Sequence, residues 1–309
     1  MAIPITKVIV PAAGRGTRFL PYTKAIPKEM LPLINKPAIQ YVIEEALASD
    51  LAHFFFITGK NKDAIANHID SSYELESHLS ENNLEEKLAC VNTIHRKGNF
   101  TYIRQSDPQG LGHAILQAQH CIGKEQIAIA LPDHICTSPQ PALQQLLRAA
   151  RQEKANIIAV QEVPSDCVSD HGVISIKKQI SPNLFQVSSI VNKPKAKDAP
   201  SRLAVMGRFV LSHKIFSSLD YLNTYASDQV LLNDGLTHMI QKHERVFAVK
   251  LPGTCYNLST PLGWLTANVN LAMQNPVYAQ ALKKVINEQE DTNNPLFFSP
   301  AKTIEHTLM

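Results

Sequence analysis

Apolar and polar positions follow two different periods in the first half of the chain. Residues Lys7 to Pro11 (KVIVP) form a short β-branched apolar run that stops at a glycine-rich turn, the pattern of a strand buried on both faces. Gln40 to Leu47 then places apolar residues at helical spacing, and Phe54 to Thr58 is a second buried run. Ala64 to Leu88 reads as mostly helical, with many Glu and Asn on its polar face. A strand over Phe100 to Arg104, a helix over Gly112 to Cys121, a buried strand over Gln126 to Leu131, a helix over Pro141 to Gln152 and a strand from Ile157 to Val160 continue the alternation. Strand and helix in turn are the mark of a parallel sheet covered on both faces.

The second half changes character. Gly172 to Ile176, Phe185 to Val191 and Val205 to Leu211 read as strands carrying a lid or substrate wall. Helices over Val230 to Lys242, Leu262 to Met273 and Val277 to Glu288 follow, and the residues after Asp291 form a polar tail. The expected fold is α/β, Rossmann-like and doubly wound, with a mostly parallel mixed sheet and helices on both faces. No linker, internal repeat or low-complexity tract divides it. The expectation is one domain over 1–309, with a core of about 5–275 and a helical extension and tail from about 276.

Composition narrows the partners. The 309 residues are 44% hydrophobic and 18% charged, with a net charge of +3, which suits anionic small molecules but is too weak and dispersed for nucleic acid. No apolar stretch approaches the roughly 18–20 residues that span a bilayer. The N-terminus lacks the basic segment, apolar run and cleavage site of a secretory signal. Five widely spaced cysteines (Cys90, Cys121, Cys136, Cys167, Cys255), with no C-x-x-C pair or zinc-like spacing, read as reduced thiols in a cytoplasmic protein.

Candidate chemistry starts at the first turn. A strand running into Gly14-x-Gly16 lets backbone N–H groups converge on phosphate oxygens. The small Ala12 and Ala13 allow a flat base to approach, and Arg18, Lys24 and Lys28 supply positive charge. Taken alone, the turn also fits an ordinary strand-to-helix connection with a solvated arginine. It lacks the third glycine of the dinucleotide fingerprint and the Lys-Ser/Thr of a P-loop.

The wider pattern is more specific. Ala13 to Arg18 (AGRGTR), followed by Lys24 to Pro32 (KAIPKEMLP) and Lys36 to Tyr41 (KPAIQY), closely resembles the signature of bacterial UTP–glucose-1-phosphate uridylyltransferases. Further matches follow in order at Tyr73 to Glu76, Arg104-Gln105, Gly110 to His113, Leu131 to Asp133, Gly172 to Ile174, Lys193-Pro194 and Gly207-Arg208, so that the resemblance runs from about Lys7 to Ala272. The Lys24 to Pro32 segment separates this branch from the thymidylyltransferases, which share the fold.

The resemblance implies that UTP and glucose 1-phosphate are converted to UDP-glucose and pyrophosphate, with Mg²⁺ as cofactor. The sugar phosphate is itself the nucleophile. With a second pKa near 6 it is mostly a dianion at neutral pH, and it needs alignment and charge neutralisation rather than a base. By the same resemblance Arg18 holds the triphosphate and leaving pyrophosphate, and Lys28 and Lys193 contact phosphoryl groups. Ala12, Ala13, Gly14, Gly16 and Thr17 meet the nucleotide, with Glu29 nearby. Gln105 reads the uracil edge and Gly110 the nucleoside. Gly172 and Asn192 belong to the sugar site, and Asp133 and Asn257 to the metal site. His113 and His134 have no accompanying ligand residues and read as ordinary satisfied or exposed histidines. A homodimer or homotetramer is implied by resemblance only.

Three departures fall in one half of this site. The family has Glu where Asn192 stands before Lys193-Pro194. It carries a second metal carboxylate where this chain has Asn257 to Ser259, ahead of Leu262-Gly263-Trp264. Its Gly-Asp-Glu is replaced by Ser227-Asp228-Gln229. An amide oxygen can still ligate Mg²⁺, but without charge. Three readings therefore stay open: an active uridylyltransferase with a weakened metal site, a non-catalytic paralogue that binds nucleotide or nucleotide sugar as a regulator, and a nucleotidyltransferase for another sugar 1-phosphate.

Overall fold

The computed structural model describes residues 5–91, 94–225 and 229–290. Its centre is a nine-stranded sheet in the order β5-β4-β1-β6-β11-β8-β12-β10-β9. In chain order these are β1 (Lys7–Pro11), β4 (His53–Thr58), β5 (Asn99–Arg104), β6 (Gln126–Ala130), β8 (Asn156–Glu162), β9 (Gly172–Ser181), β10 (Leu184–Asn192), β11 (Leu203–Ser212) and β12 (Val246–Lys250). β5, β4, β1 and β6 run parallel, as do β8 and β12. β11 is antiparallel to both β6 and β8, and β10 is antiparallel to β12 and β9. Two short ribbons flank the sheet: β2 (Pro32–Leu33) with β3 (Lys36–Pro37), and β7 (His134–Thr137) with β13 (Thr254–Asn257).

The apolar runs are explained by two cores. Val8 and Val10 of β1 and Phe54 and Phe56 of β4 face one, which is covered by α1 (Ala38–Leu47) and α6 (Ala142–Glu153). Ile9, Phe55 and Ile57 face the other, covered by α5 (Leu111–Leu116), α7 (Lys214–Tyr225) and α8 (Leu232–Gln241). Each such side chain stabilises the fold by roughly 1.5–3 kcal/mol on burial. A strand apolar at every position is therefore needed wherever helices lie on both faces.

Some boundaries differ from the sequence expectations. Ala64 to Leu88 is broken into α2 (Asp63–Ile69), α3 (Tyr73–Glu81) and α4 (Glu85–Val91), of which only Ile65, Ile69 and Leu79 are buried. Asn83, at φ 53, occupies the left-handed region between the last two and ends the run. The expected helix from Gly112 stops at Leu116 and resumes only as a single 3-10 turn at Gln119–Cys121. The larger correction concerns β11. It is buried along nearly its whole length and seated in the middle of the sheet, and its Val205, Gly207 and Phe209 line a pocket, so of the two expected roles, lid or substrate wall, it takes that of a wall. The periodicity of an antiparallel insertion buried on both faces is that of any other central strand, so the pattern could not place it.

β7, β12, β13 and α7 had no counterpart in the sequence reading. α9 (Pro261–Met273) and α10 (Pro276–Glu290) match the expected C-terminal helices. Thr260 caps α9 by accepting a hydrogen bond from the Gly263 N–H at 3.1 Å, with Pro261 at the first helical position, a pairing of cap and fixed φ that favours initiation there. Residues after Asp291 and the Ser227-Asp228 departure lie outside the described residues.

Candidate active site

The sheet order reverses direction at β1, which has β4 on one side and β6 on the other. The helix that follows β1, α1, lies on one face of the sheet and the helix that leads into β6, α5, on the other, so a crevice opens at the carboxyl ends of these two strands, where α/β folds bind ligands. The chain leaving β1 is the glycine-rich turn, and the chain leaving β6 is Leu131 to His134.

A cavity of about 540 Å³ occupies this crevice and is lined by Ala13, Gly14, Gly16, Thr17, Lys28, Glu29, Gln105, Gly110 and Asp133. That volume lies within the usual range for small-molecule sites. A second lobe is lined by Arg18, Asp133, His134, His171, Gly172, Asn192, Lys193 and Asn257. The two lobes share Leu111, Leu131 and Asp133, so Asp133 stands where they meet. Every candidate residue thus lines one lobe or the other except Ala12 and Lys24, the latter exposed outside both. Ala12 is fully buried and its N–H donates to the Ile57 carbonyl at 2.8 Å, so it anchors the turn from behind.

One glycine here is required by its backbone, and another leaves the cavity wall open. A Cβ added to Gly14 would meet nothing within 4 Å, which leaves backbone open to the cavity. Gly110 has φ 104 and ψ 175, a conformation closed to L side chains, at the start of α5.

Charge is concentrated at the junction. Lys28 Nζ lies 2.6 Å from Asp133 Oδ2, and His134 Nδ1 lies 3.1 Å from Asp133 Oδ1. Burial alone would push the Asp133 carboxyl up, but Lys28 and the His134 contact outweigh it and hold it well below the usual carboxylate range. Burial likewise works to lower the Lys28 ammonium, and the attraction of Asp133 and Glu29 overcomes it, leaving Lys28 raised. Both groups therefore stay charged across the physiological range. In the second lobe, burial and then the neighbouring His134 lower the pKa of His171.

Lys193 sits at φ 46, a left-handed conformation rare for a lysine, and its N–H donates to the His171 carbonyl at 2.9 Å. Such a backbone persists only when its surroundings fix it, and here it turns the chain at the lip of the second lobe.

Several positioning residues went unseen in the sequence. Lys62 Nζ pairs with Glu29 Oε2 at 2.7 Å, and both side chains are almost fully buried. The other Glu29 oxygen has no partner and its residue lines the first lobe. Arg208, with no exposed surface, binds Glu45 through Nε and Nη2 and donates to the carbonyls of Leu131 (3.0 Å), Gly207 (3.1 Å) and His134 (2.9 Å). It therefore holds the loop that carries Asp133. Gly207-Arg208 was visible as a motif match, but a buried arginine aimed at three backbone carbonyls cannot be read from spacing.

His113 is held by two glutamines, whereas His134 touches the Asp133 carboxylate and lines the second lobe, so it belongs to the site. His113 Nδ1 lies 2.8 Å from Gln105 Nε2 and its Nε2 lies 3.1 Å from Gln117 Nε2. The first contact orients the Gln105 amide at the floor of the first lobe.

The β7/β13 ribbon supplies the remaining site residues. Asn257 is opposite His134 in its register, and the Leu258 N–H donates to the Asp133 carbonyl at 2.7 Å. Asn257 Oδ1 accepts from the Ser259 N–H at 2.9 Å and keeps one lone pair. Among the described residues no three His, Cys, Asp or Glu side chains gather as a metal cage. The Asp133 carboxylate and the Asn257 amide oxygen are hard oxygen donors of the kind that a divalent cation such as Mg²⁺ takes, one or two carboxylates at a time, beside phosphate and water.

The same ribbon corrects the cysteine reading. Cys136 and Cys255 are directly opposed in the antiparallel register and joined as a disulfide, with Cα atoms 4.0 Å apart. A separation of 119 residues concealed the pair. Cys121 and Cys167 are free thiols.

Comparison with known proteins agrees with this geometry. The nucleotidyl transferase family model matches residues 7–267. The UTP–glucose-1-phosphate uridylyltransferase YngB of Bacillus subtilis strain 168 is 42% identical over 272 residues, covering 88% of this chain and 91% of the relative. A solved UTP-bound UGPase from Acinetobacter baumannii superposes with a TM-score of 0.84 at 32% identity, over 92% of this chain and 99% of that one. A solved UDP-glucose pyrophosphorylase complexed with UDP-glucose gives a TM-score of 0.79 at 35% identity, over 88% of this chain and 100% of that one. With strand order, crevice and motif residues all in place, the chain belongs to the nucleotidyl transferase family.

Proposed function

We propose that this chain is an enzyme that transfers the uridylyl group of UTP to glucose 1-phosphate, releasing pyrophosphate and forming UDP-glucose. The observation that carries the reading is Asp133, held by Lys28 where a nucleotide-sized lobe meets a second polar lobe. The names of the similar proteins supply the substrates.

In this reading UTP lies in the first lobe, its phosphates against the turn Gly14 to Thr17. Gln105 takes the uracil edge, and Glu29 lies near the ribose. Glucose 1-phosphate lies in the second lobe near Gly172 and Asn192. Its phosphate oxygen attacks the α-phosphorus of UTP in line: a P–O bond forms, the α–β anhydride bond breaks, and its electron pair leaves with pyrophosphate. Arg18, which lines the second lobe, together with Lys28 and Lys193, offsets the crowded negative charge. No general base is required, because the nucleophile is already an anion. Asp133 and Asn257 would hold Mg²⁺, which when bound supplies a further counter-charge at the phosphates.

A weakly active nucleotide-sugar binder is the second reading, favoured by the neutral Asn257 and Asn192 at metal and sugar. Restoring the metal carboxylate with Asn257→Asp discriminates: a large gain in turnover indicates a degenerate site. Assembly as a homodimer or homotetramer is part of the proposal, supported by the exposed Leu262, Leu265 and Val277 along α9 and α10.

Pyrophosphate release from UTP and glucose 1-phosphate in millimolar Mg²⁺, with galactose and N-acetylglucosamine 1-phosphates as competitors, tests the reading. Release that requires glucose 1-phosphate and vanishes in Asp133→Ala supports it. UTP binding without release under any of these conditions refutes it.

A further inference from the structure

The second lobe contains an amide relay that the sequence did not reveal. Asn192, at the end of β10, donates from Nδ2 to Asp234 Oδ1 of α8 at 2.8 Å. Its Oδ1 accepts from Asn233 Nδ2 at 2.7 Å. Both faces of one amide are thus assigned. The carbonyl oxygen of Asn192 lies on the side of Gly172, where an added Cβ would sit 3.5 Å from it and 2.3 Å from Asn233 Nδ2. Gly172, Asn192 and Asn233 all line the second lobe.

An amide has two nearly isosteric orientations, one presenting a carbonyl and the other an NH₂ group. Without a directing neighbour it would offer a hydroxyl either end. A carboxylate accepts and cannot donate, so Asp234 can only be satisfied by the NH₂ group, and that forces the oxygen toward the lobe.

Resting on the reading of this lobe as the sugar site, we infer that Asp234 is the positioning residue for sugar recognition. Acting through Asn192, it fixes a carbonyl acceptor toward the sugar hydroxyls, with Asn233 as the second reader. A charged acceptor at position 192 is then unnecessary, because the required polarity comes from α8 instead. The design has a consequence for charge: a Glu at 192 would face the Asp234 carboxylate and be repelled by it.

Equilibrium binding of UDP-glucose and of UDP, measured by calorimetry on wild type, Asp234→Asn, Asn192→Glu and the double variant, tests the inference without relying on turnover. The ratio of the two affinities isolates the sugar lobe. Asp234→Asn frees the Asn192 amide to flip, and the ratio is expected to fall by about tenfold while UDP affinity holds. In the Asn192→Glu background the same Asp234→Asn change is expected to raise the ratio, because it removes a like charge. That inversion of sign is something a merely structural role for Asp234 would not produce. If Asp234→Asn leaves the ratio unchanged, or lowers it equally in both backgrounds, the inference is wrong while the nucleotide site stands. If wild type binds neither ligand, the functional reading itself has failed and the inference falls with it.

Discussion

Arg208 offers a severe test of how this site is built. It is the largest fully buried side chain of the described residues and ties α1, through Glu45, to the loop Leu131 to His134 that presents Asp133. Glu45 in turn accepts from the Leu143 N–H at the start of α6. Replacing Arg208 by Met keeps much of the volume but leaves the nearly buried Glu45 carboxylate without its counter-charge and the carbonyls of Leu131, Gly207 and His134 without the guanidinium donor. Loss of one partner of a buried ion pair costs about 3–5 kcal/mol, a large part of the whole stability of a typical domain. Arg208→Lys retains the charge, but a three-donor ammonium cannot reproduce the planar fork, and a loss of about 1–3 kcal/mol is expected.

The assay is urea unfolding followed by circular dichroism, with turnover measured on the folded protein. Pairing Arg208→Met with Glu45→Gln removes the stranded charge, so the double variant should lose less than the sum of the singles by about 1 kcal/mol or more. Turnover of Arg208→Met should fall by roughly a hundredfold if the Asp133 loop moves by about 1 Å. A variant within 1 kcal/mol of wild type, or one with strictly additive losses, would refute the description of Arg208 as the tie between scaffold and site.

Other outcomes follow from the same geometry. Asn257→Asp adds the missing carboxylate beside Asp133 and is expected to lower the Mg²⁺ concentration for half-maximal turnover by about tenfold; an unchanged metal dependence would place Asn257 outside the metal site. Gln105→Leu should raise the UTP KM by about tenfold with little change in kcat, because a hydrogen bond to the base is made before and during reaction. The pH dependence of stability has a defined sign at Lys28–Asp133. Asp133 is depressed, so its contribution is complete above the ordinary carboxylate pKa of about 3.9 and fades as pH falls through the lower folded value. Lys28 is raised, so its contribution is complete below about 10.4 and is lost as pH rises through the folded value. The stability gap between wild type and Asp133→Asn should therefore be flat from pH 5 to about 9 and close in stronger acid; a gap that widens in acid contradicts the charge assignment.

Much of the fold was legible because the central strands are buried on both faces and read as unbroken apolar runs, as Lys7 to Pro11 and Phe54 to Thr58 do. Antiparallel placement was not legible: β11 carries the same kind of run as its parallel neighbours, and nothing in its residues marks direction. The site residues could be listed because they stand in continuous motifs at strand ends. Their support could not, since Lys62, Arg208 and Asp234 act through partners far away in sequence. The Cys136–Cys255 pair failed to show for the same reason, being created by a two-strand ribbon that local spacing does not encode. Asn192 and Asn257 were visible as departures, yet only the structure supplies the neighbours that give each amide its orientation.

The fate of the α-phosphorus of UTP bears most directly on the proposed reaction. The protein is incubated with UTP labelled at that phosphorus, glucose 1-phosphate and Mg²⁺, and the products are separated by chromatography. Label is expected in UDP-glucose, in amounts equal to the pyrophosphate released and only when glucose 1-phosphate is present. Label that stays in UTP, while the protein demonstrably binds that nucleotide, would contradict transfer and leave a binding protein in its place.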